Sequence, residues 1–218
     1  MRIGILGAGG MADALGGQWA RAGHEVMIGA RAPEKAAALA EKIGARSGSL
    51  REAAAFGEVA LLAVRYAAAE DVVRAAGGAL DGRVLIDCTN TWGDSTFALL
   101  TGDGPSGAQR IAAAAPGARV VKAFNLCHES VWRRTPPVFD GRPLGVPVCG
   151  DDDDALNVVE RLVRDLGCEP LLGGGLDRAG QLEATAAFVV GLYAVGADPA
   201  VMLPPLEHAG GEPVPPNG

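Results

Sequence analysis

The sequence has few aromatic residues and no excess of positive charge. Phe, Trp and Tyr make up 5% of the 218 residues, so we expect a core of Ala, Val, Leu and Ile. Asp and Glu (26) outnumber Lys and Arg (19), and the formal net charge is −7. Because binding to nucleic-acid phosphates needs clustered cations, this balance argues against a nucleic-acid partner. The hydrophobic content of 49% is sufficient for a globular core.

Closely spaced cysteines and long hydrophobic segments are also missing. No C-x-x-C pair is present, which argues against the usual zinc and dithiol motifs. The cysteines are Cys88, Cys127, Cys149 and Cys168. Isolated thiols suit a reducing compartment, and the first residues lack the pattern of a signal peptide. The longest apolar stretch, Ala184 to Ala197, is too short to span a bilayer. We therefore expect a cytoplasmic protein with no membrane partner.

Short apolar runs alternate with Ala-rich helical stretches along the chain. Seven runs predict strands: Arg2–Leu6, Glu25–Ile28, Val59–Val64, Val84–Asp87, Arg119–Ala123, Val146–Cys149 and Glu169–Leu172. Their apolar residues are consecutive, as in parallel strands covered on both faces. Helices are predicted between them: Met11–Ala22, Pro33–Ile43, Ala67–Ala79 and Asp152–Leu166. This alternation predicts an α/β fold with a doubly wound, mostly parallel Rossmann sheet.

A glycine-rich break at Gly173–Gly175 separates two expected parts of the chain. Residues 1–172 should form the nucleotide-binding domain, and residues 173–203 a C-terminal helical extension with one long helix from Leu176 to Val195. The apolar residues of that helix need a partner, either the domain itself or a second subunit, and we favour a homodimer. The tail, residues 204–218, is rich in Pro and Gly, and we expect it to be mobile.

The strongest functional motif follows the first predicted strand. Residues 7–12 read G-A-G-G-M-A, which matches G-x-G-x-x-A in a strand–turn–helix context. Gly7 permits the tight turn, Gly9 lets the backbone approach a pyrophosphate, and Ala12 lets the helix pack on the strand. Gly10 and Met11 begin the helix, whose free N–H groups face the phosphates. The motif predicts that the chain binds a dinucleotide.

The end of the second strand indicates which dinucleotide is bound. NAD sites usually carry an acid here that bonds the ribose 2′-hydroxyl, but this sequence has Ala30 and Arg31. The guanidinium of Arg31 suits a 2′-phosphate, and Lys35 in the first turn of the next helix could reach the same group. We therefore predict NADP(H) rather than NAD.

Other predicted strands end in loops at the same edge of the sheet, where ligands bind in this fold. Asn90, Ala123 and Asn125 are candidates for contact with the nicotinamide end of the cofactor. Val64 could lie against the adenine or the nicotinamide ribose, and Arg65 is either a site residue or a simple turn residue. His128 is a candidate proton donor, or else a plain loop histidine. The acids at residues 151–154 follow a strand and open a helix, so we read them as helix-capping residues and predict no metal site.

Taken together, the motifs resemble the NADPH-dependent F420 reductase family, also called F420-dependent NADP oxidoreductases. The resemblance covers residues 1 to about 200, and its more specific pieces are K-A-F-N at 122–125 and V-C-G-D-D at 148–152. It implies hydride transfer between NADP(H) and the deazaflavin coenzyme F420. It also implies that Arg31 and Lys35 hold the 2′-phosphate, and that Val64, Asn90 and Ala123 border the nicotinamide. Ala30 stands where family members commonly carry Ser or Thr.

The leading prediction is an oxidoreductase that moves a hydride between NADP(H) and a second small molecule, with coenzyme F420 first. Hydride transfer between two flat rings needs placement more than acid–base groups. The alternative is an NADPH-dependent reductase of a small imine, ketone or enone, which usually needs a proton donor. A further alternative is a protein that senses NADPH without turnover.

Overall fold

The protein is described by a computed structural model over residues 1–93 and 97–202. The strands are β1 (Arg2–Leu6), β2 (Glu25–Gly29), β3 (Arg46–Gly48), β4 (Val59–Leu62), β5 (Val84–Asp87), β6 (Arg119–Lys122), β7 (Val138–Phe139), β8 (Arg142–Pro143), β9 (Gly145–Gly150) and β10 (Glu169–Leu172). The helices are α1 (Gly10–Arg21), α2 (Pro33–Ile43), α3 (Leu50–Phe56), α4 (Ala69–Ala76), α5 (Gly107–Ala114), α6 (Glu129–Trp132), α7 (Asp153–Arg164) and α8 (Ala179–Ala194).

Eight strands form one twisted sheet in the order β10-β9-β6-β5-β4-β1-β2-β3, and β7 pairs with β8 in a separate hairpin. Every pairing in the large sheet is parallel except that of β6 with β9. The predicted doubly wound, mostly parallel Rossmann fold is therefore confirmed. Crossovers of one hand bring the carboxyl ends of β1, β2, β4, β5 and β6 to the same edge.

Two hydrophobic clusters cover the two faces of the sheet. One contains buried residues of α1, α2 and α7, and the other contains those of α3, α4, α5 and α8. Successive residues of β4 alternate between them, so Leu61 belongs to the first cluster and Leu62 to the second. Aliphatic residues dominate both clusters, as the composition predicts. The exceptions are three aromatic residues of the first cluster: the ring of Phe124 lies edge-on to the rings of Trp19 and Trp132.

The structure departs from the sequence prediction at several elements. Strand β3 and helices α3, α5 and α6 were not predicted, because they are short and their periodicity is weak. The expectation that every strand is covered on both faces is wrong for β10. That strand is the edge of the sheet, and its Leu172 side chain is 69% exposed.

Helix α8 folds back onto the rest of the chain. It packs against α5 through a face of mostly small residues: Ala179, Leu182, Glu183, Ala186 and Ala187. The preceding glycine-rich segment is tied to β9, since Gly173 N donates to Val148 O at 2.7 Å. None of the helices in the described ranges is both long and apolar enough to cross a membrane. The tail that we expect to be mobile lies outside the described residues.

Candidate active site

A cleft of about 940 Å³ opens at the carboxyl ends of β1, β2 and β4. Its walls come from the β1–α1 turn, the segment after β2 and the segment after β4. The residues that line it include Gly7, Gly9, Gly10, Met11, Ala30, Arg31, Lys35, Val64, Arg65, Cys88 and Glu129. This position is where doubly wound sheets bind their ligands.

The first wall depends on glycine at position 7. Gly7 has a φ of +131°, and its N–H donates to Gly29 O at 2.8 Å across to β2. A Cβ at this position would lie 2.1 Å from the backbone oxygen of Ala63. The turn therefore brings β1 and β4 together in a way that no other residue permits.

The N-terminus of α1 faces the cleft without a side-chain cap. Gly9 is its N-cap residue, and a Cβ built there meets nothing within 4 Å. The first N–H groups of a helix have no partner within the helix, and the positive end of the helix dipole lies there. A pyrophosphate can approach this backbone closely, so the turn fits a dinucleotide.

The second wall carries two positive charges. Arg31 and Lys35 are exposed at the cleft, and neither forms an ion pair with any residue of the described ranges. Neither Ala30 nor Arg31 supplies the acid that would bond a ribose 2′-hydroxyl. Two uncommitted cations beside an open nucleotide cleft fit the extra phosphate of NADP.

One acid lies within the phosphate end of this cleft. The carboxylate of Glu129, at the start of α6, lies over Gly10, where a Cβ would approach its oxygens to 2.3 Å. His128 Nε2 lies 3.6 Å from an oxygen of this carboxylate. Gly10 therefore makes room for Glu129 as well as for a ligand.

Farther along the same edge, two asparagines form a reciprocal pair. Asn90 Nδ2 donates to Asn125 O at 2.8 Å, and Asn125 Nδ2 donates to Asn90 Oδ1 at 3.1 Å. Within the described residues, Asn125 Oδ1 and Thr89 Oγ1 are buried oxygens without a hydrogen-bond partner. Buried polar atoms are rarely left unpaired, so Asn125 Oδ1 gives this pair one acceptor that suits a ligand N–H group.

A buried ion triad lies directly behind the asparagine pair. Lys122 Nζ is 2.9 Å from Asp87 Oδ2 and 2.9 Å from Glu183 Oε1, and the three side chains are fully buried. Burial alone would lower the pKa of Lys122, but the two carboxylates raise it above its ordinary value. The lysine is therefore charged at neutral pH.

The thiol of Cys88 lines the cleft between the two parts of the site. It donates to Leu62 O at 3.3 Å, and burial raises its pKa to about 12. A thiol with this pKa stays protonated at neutral pH and is a poor nucleophile.

Comparison with known proteins agrees with this geometry. A protein-family model described as "NADP oxidoreductase coenzyme F420-dependent" matches residues 2–91. The F420-dependent NADP reductase of Methanothermobacter marburgensis is 30% identical over 209 residues, which cover 88% of this chain and 92% of that protein. The chain belongs to the F420-dependent NADP oxidoreductase family. It is accordingly an NADP-dependent oxidoreductase.

Two further proteins resemble this chain. The rat metalloreductase STEAP3 is 31% identical over 183 residues, which cover 84% of this chain. The chain spans only 36% of the length of that relative. A crystal structure from Arthrobacter sp. FB24, provisionally described as an F420-dependent NADP reductase, has a TM-score of 0.80 at 26% identity. That match covers 89% of this chain and 95% of the other.

The structure brings most of the predicted site residues of this oxidoreductase to one edge. All of those predicted from Gly7 to Arg65 line the cleft except Ala12, which is fully buried under the turn. Ala123 is also fully buried, while Asn90 and Asn125 form the pair described above. His128 is exposed, and its Nδ1 accepts from Ser130 N as the N-cap of α6. Its role as a proton donor stays a prediction.

Three residues of the site were missed by sequence reasoning. Glu183 stands alone among apolar residues of a predicted helix, which was the signal for a buried charge, but nothing local shows its partner. Lys122 was noted only as part of K-A-F-N, although a lysine that ends a buried strand needs a counter-charge. Glu129 gave no signal, because its position over Gly10 arises from the packing of α6 on α1.

Among the acids at residues 151–154, the predicted capping of the following helix is seen for Asp152. Asp152 Oδ1 accepts from Ala155 N at 2.7 Å as the N-cap of α7. Asp151 Oδ1 accepts from Leu176 N at 2.7 Å, so it caps the turn that precedes α8. In the described part of the chain, no group of His, Cys, Asp and Glu is arranged to hold a metal ion.

Proposed function

We propose that this NADP oxidoreductase exchanges a hydride with the deazaflavin coenzyme F420. The methanogen relative supports this acceptor, because the match covers almost the whole of both chains. The proposal also agrees with the chemistry of the site, in which two flat rings need to be held together more than acids or bases need to be supplied.

In this proposal, the cleft holds the nucleotide by its charged groups. The amides at the N-terminus of α1 bind the pyrophosphate, and Arg31 and Lys35 bind the 2′-phosphate. Val64 borders the nicotinamide ribose, and Asn90 with Asn125 orients the ring near the carboxyl ends of β5 and β6. Bound NADPH supplies the hydride, and the chain supplies its placement.

This choice of acceptor rests on one observation: the ionisable groups behind the nicotinamide edge are paired with other groups of the protein or stay in one protonation state. Lys122 pairs with both Asp87 and Glu183 in full burial, and Cys88 stays protonated. His128 points its ring at Ser130 in solvent. An acceptor that takes a hydride without a protein acid suits such a site better than a small imine or ketone.

The proposal is tested by mixing the purified protein with NADP and reduced F420, and by following NADPH and oxidised F420 by absorbance. We expect both to form in equal amounts. The same assay run with NADPH and a panel of imines, ketones, enones and a ferric chelate tests other acceptors. Consumption of NADPH by one of these, with none by F420, would contradict the proposal.

His128 supplies a second arm of this test. The His128→Ala variant should keep the F420 reaction within a fewfold of wild type, because ring-to-ring transfer does not use its proton. A loss of several orders of magnitude in kcat would instead favour an acid-dependent reduction of an imine or carbonyl.

We also propose that the outer face of α8 pairs with a second copy of the chain. Phe188 is 62% and Tyr193 59% exposed there, beside a groove of about 440 Å³ that Phe97 and Leu99 help to line. Light scattering should give a dimer for wild type and a monomer for Phe188→Glu. Leu172→Glu, an equally exposed site on β10, is the control and should stay dimeric. A monomeric wild type would refute this pairing.

A further inference from the structure

Glu183 joins the C-terminal helix to the catalytic edge of the sheet. Its Oε1 lies 2.9 Å from Lys122 Nζ and accepts from Ala108 N at 3.1 Å. Its Oε2 accepts from Thr91 Oγ1 at 3.1 Å and from Gly107 N at 3.0 Å. One carboxylate therefore bonds α8 to β6, to the N-terminus of α5 and to the loop after β5.

Lys122 extends this connection toward the same loop. Its ammonium has three donors, and three acceptors surround it: Asp87, Glu183 and the backbone oxygen of Thr89 at 2.6 Å. Asp87 Oδ1 in turn accepts from Thr89 N at 2.8 Å. Thr89 is thus fixed at both its N–H and its C=O.

The segment between these fixed points carries Asn90. The triad holds Thr89, the residue before Asn90, through two backbone hydrogen bonds. It holds Thr91, the residue after Asn90, through its hydroxyl group. The amide of Asn90 then bonds to Asn125, whose Nδ2 also lies 3.4 Å from Leu182 O on α8. The orientation of the asparagine pair therefore depends on where α8 docks.

Stability alone does not account for such an arrangement. Burying three ionisable side chains is expensive, and well-packed apolar residues often serve stability as well or better. The rest of the buried face of α8 is made of Ala and Leu, so an apolar residue at position 183 would suit the helix. The ionic group instead specifies one docked position of α8.

We propose that Glu183 is a positioning residue for hydride transfer: through the Asp87–Lys122–Glu183 triad, it holds the Thr89–Asn90–Thr91 loop so that the Asn90–Asn125 pair fixes the nicotinamide ring. This inference rests on the proposed function, because it assigns the nicotinamide to that pair. It makes α8 part of the reaction site although α8 has no residue in the nucleotide cleft.

The test compares Glu183→Gln with Thr185→Ala, an exposed control on the same helix. Calorimetry measures the Kd of NADPH, and the fluorescence of bound NADPH reports the surroundings of its nicotinamide. We expect Glu183→Gln to keep the Kd, because the phosphates are held elsewhere, and to lose the fluorescence change that wild type gives. With the acceptor that wild type uses, kcat should fall about ten- to hundredfold. Thr185→Ala should match wild type in all three.

Asp87→Asn provides a second variant in case Glu183→Gln does not fold, because it leaves the contacts of α8 with α5 in place. This variant should change kcat and the fluorescence of bound NADPH in the same direction as Glu183→Gln does. Fluorescence and kcat equal to wild type in a folded variant would overturn the positioning role while the proposed function stands. A variant that binds NADPH more weakly, has a lower kcat and melts at a lower temperature would show that the triad is only structural. This result would also overturn the positioning role. A wild type that neither binds NADPH nor reduces any acceptor would instead refute the proposed function.

Discussion

Individual residues of the cleft decide its charge preference. Arg31 and Lys35 stand on one wall and Glu129 on the other, so a phosphate-rich ligand meets attraction at one end and repulsion at the other. The sequence predicted the cations, because they follow a strand directly and the motif fixes their distance from the glycine turn. It did not predict the acid, because Glu129 reaches the cleft from a different part of the chain.

Replacing Arg31 by Asp should raise the KM for NADPH about ten- to hundredfold, since a charge-assisted hydrogen bond contributes about 1.5–3 kcal/mol. The KM for NADH should change little, because NADH lacks the 2′-phosphate. Steady-state kinetics with both nucleotides measures this. Arg21→Asp, at the exposed end of α1, is the control. Equal changes for NADPH and NADH would remove Arg31 from the 2′-phosphate site.

Replacing Glu129 by Gln should tighten NADPH binding about fivefold, which corresponds to about 1 kcal/mol. The carboxylate of Glu129 lies at the N-terminus of α1, so a pyrophosphate bound there is repelled by its negative charge. The uncharged glutamine side chain of the variant removes this repulsion. Calorimetry measures the Kd, with Glu34→Gln on the exposed first turn of α2 as control. Weaker binding in Glu129→Gln would mean that the carboxylate assists the ligand.

At the scale of elements, prediction succeeded where local signals agreed. Helices α1 and α2 combine periodic apolar residues with a clear start, Gly9 for α1 and Pro33 for α2. Strand β3 has three residues and no apolar run, so only its pairing with β2 reveals it. The docked position of α8 depends on Glu183 and Lys122, which are distant in sequence, and local patterns carry no information about such pairs.

Helices α3 and α5 both begin with a capping box, which allows a matched prediction. Ser49 caps α3 in solvent, whereas Ser106 caps α5 in a buried position and accepts from Gln109 N at 3.2 Å. Ser106→Ala should lower the free energy of unfolding by about 1–2 kcal/mol and Ser49→Ala by about 0.5–1 kcal/mol. The difference arises because water can replace the lost bond only at α3. Urea unfolding measures both values, and a larger loss at Ser49 would contradict this reasoning.

At the scale of the whole molecule, the fold and the family were within reach of the sequence, and the site only in part. The strand–turn–helix motif and the consecutive apolar strands indicated a Rossmann sheet, and the motifs indicated the family, which the comparisons confirm. The cleft residues follow from the motif because neighbouring parallel strands end at one edge. The triad does not follow, since it joins the ends of β5 and β6 to a helix from the end of the chain.

The stability of the whole protein should depend on His24 in mild acid. Burial, followed by the charge of the Met1 amino group, lowers the pKa of His24 below its ordinary value of 6.5, although Asp165 opposes the shift. The unfolded chain therefore takes up the proton first, and stability falls as the pH decreases below 6.5. Glu52, whose pKa is lowered from 4.5 by its hydrogen bonds with Ser49, contributes only near and below that value. Between these values, the melting temperature of His24→Gln should vary less with pH than that of wild type, and equal slopes would exclude His24.

The exposed edge of the sheet at β10 affects how readily the protein self-associates in concentrated solution. Leu171 and Leu172 present apolar side chains on a strand whose outer backbone groups have no neighbouring strand within the described ranges. Such edges invite self-association into larger sheets, and Pro170 blunts this one because it has no N–H to offer. Because Leu171 and Leu172 stay exposed in spite of Pro170, concentrated samples should aggregate through this edge, and a Leu172→Lys substitution should reduce that aggregation.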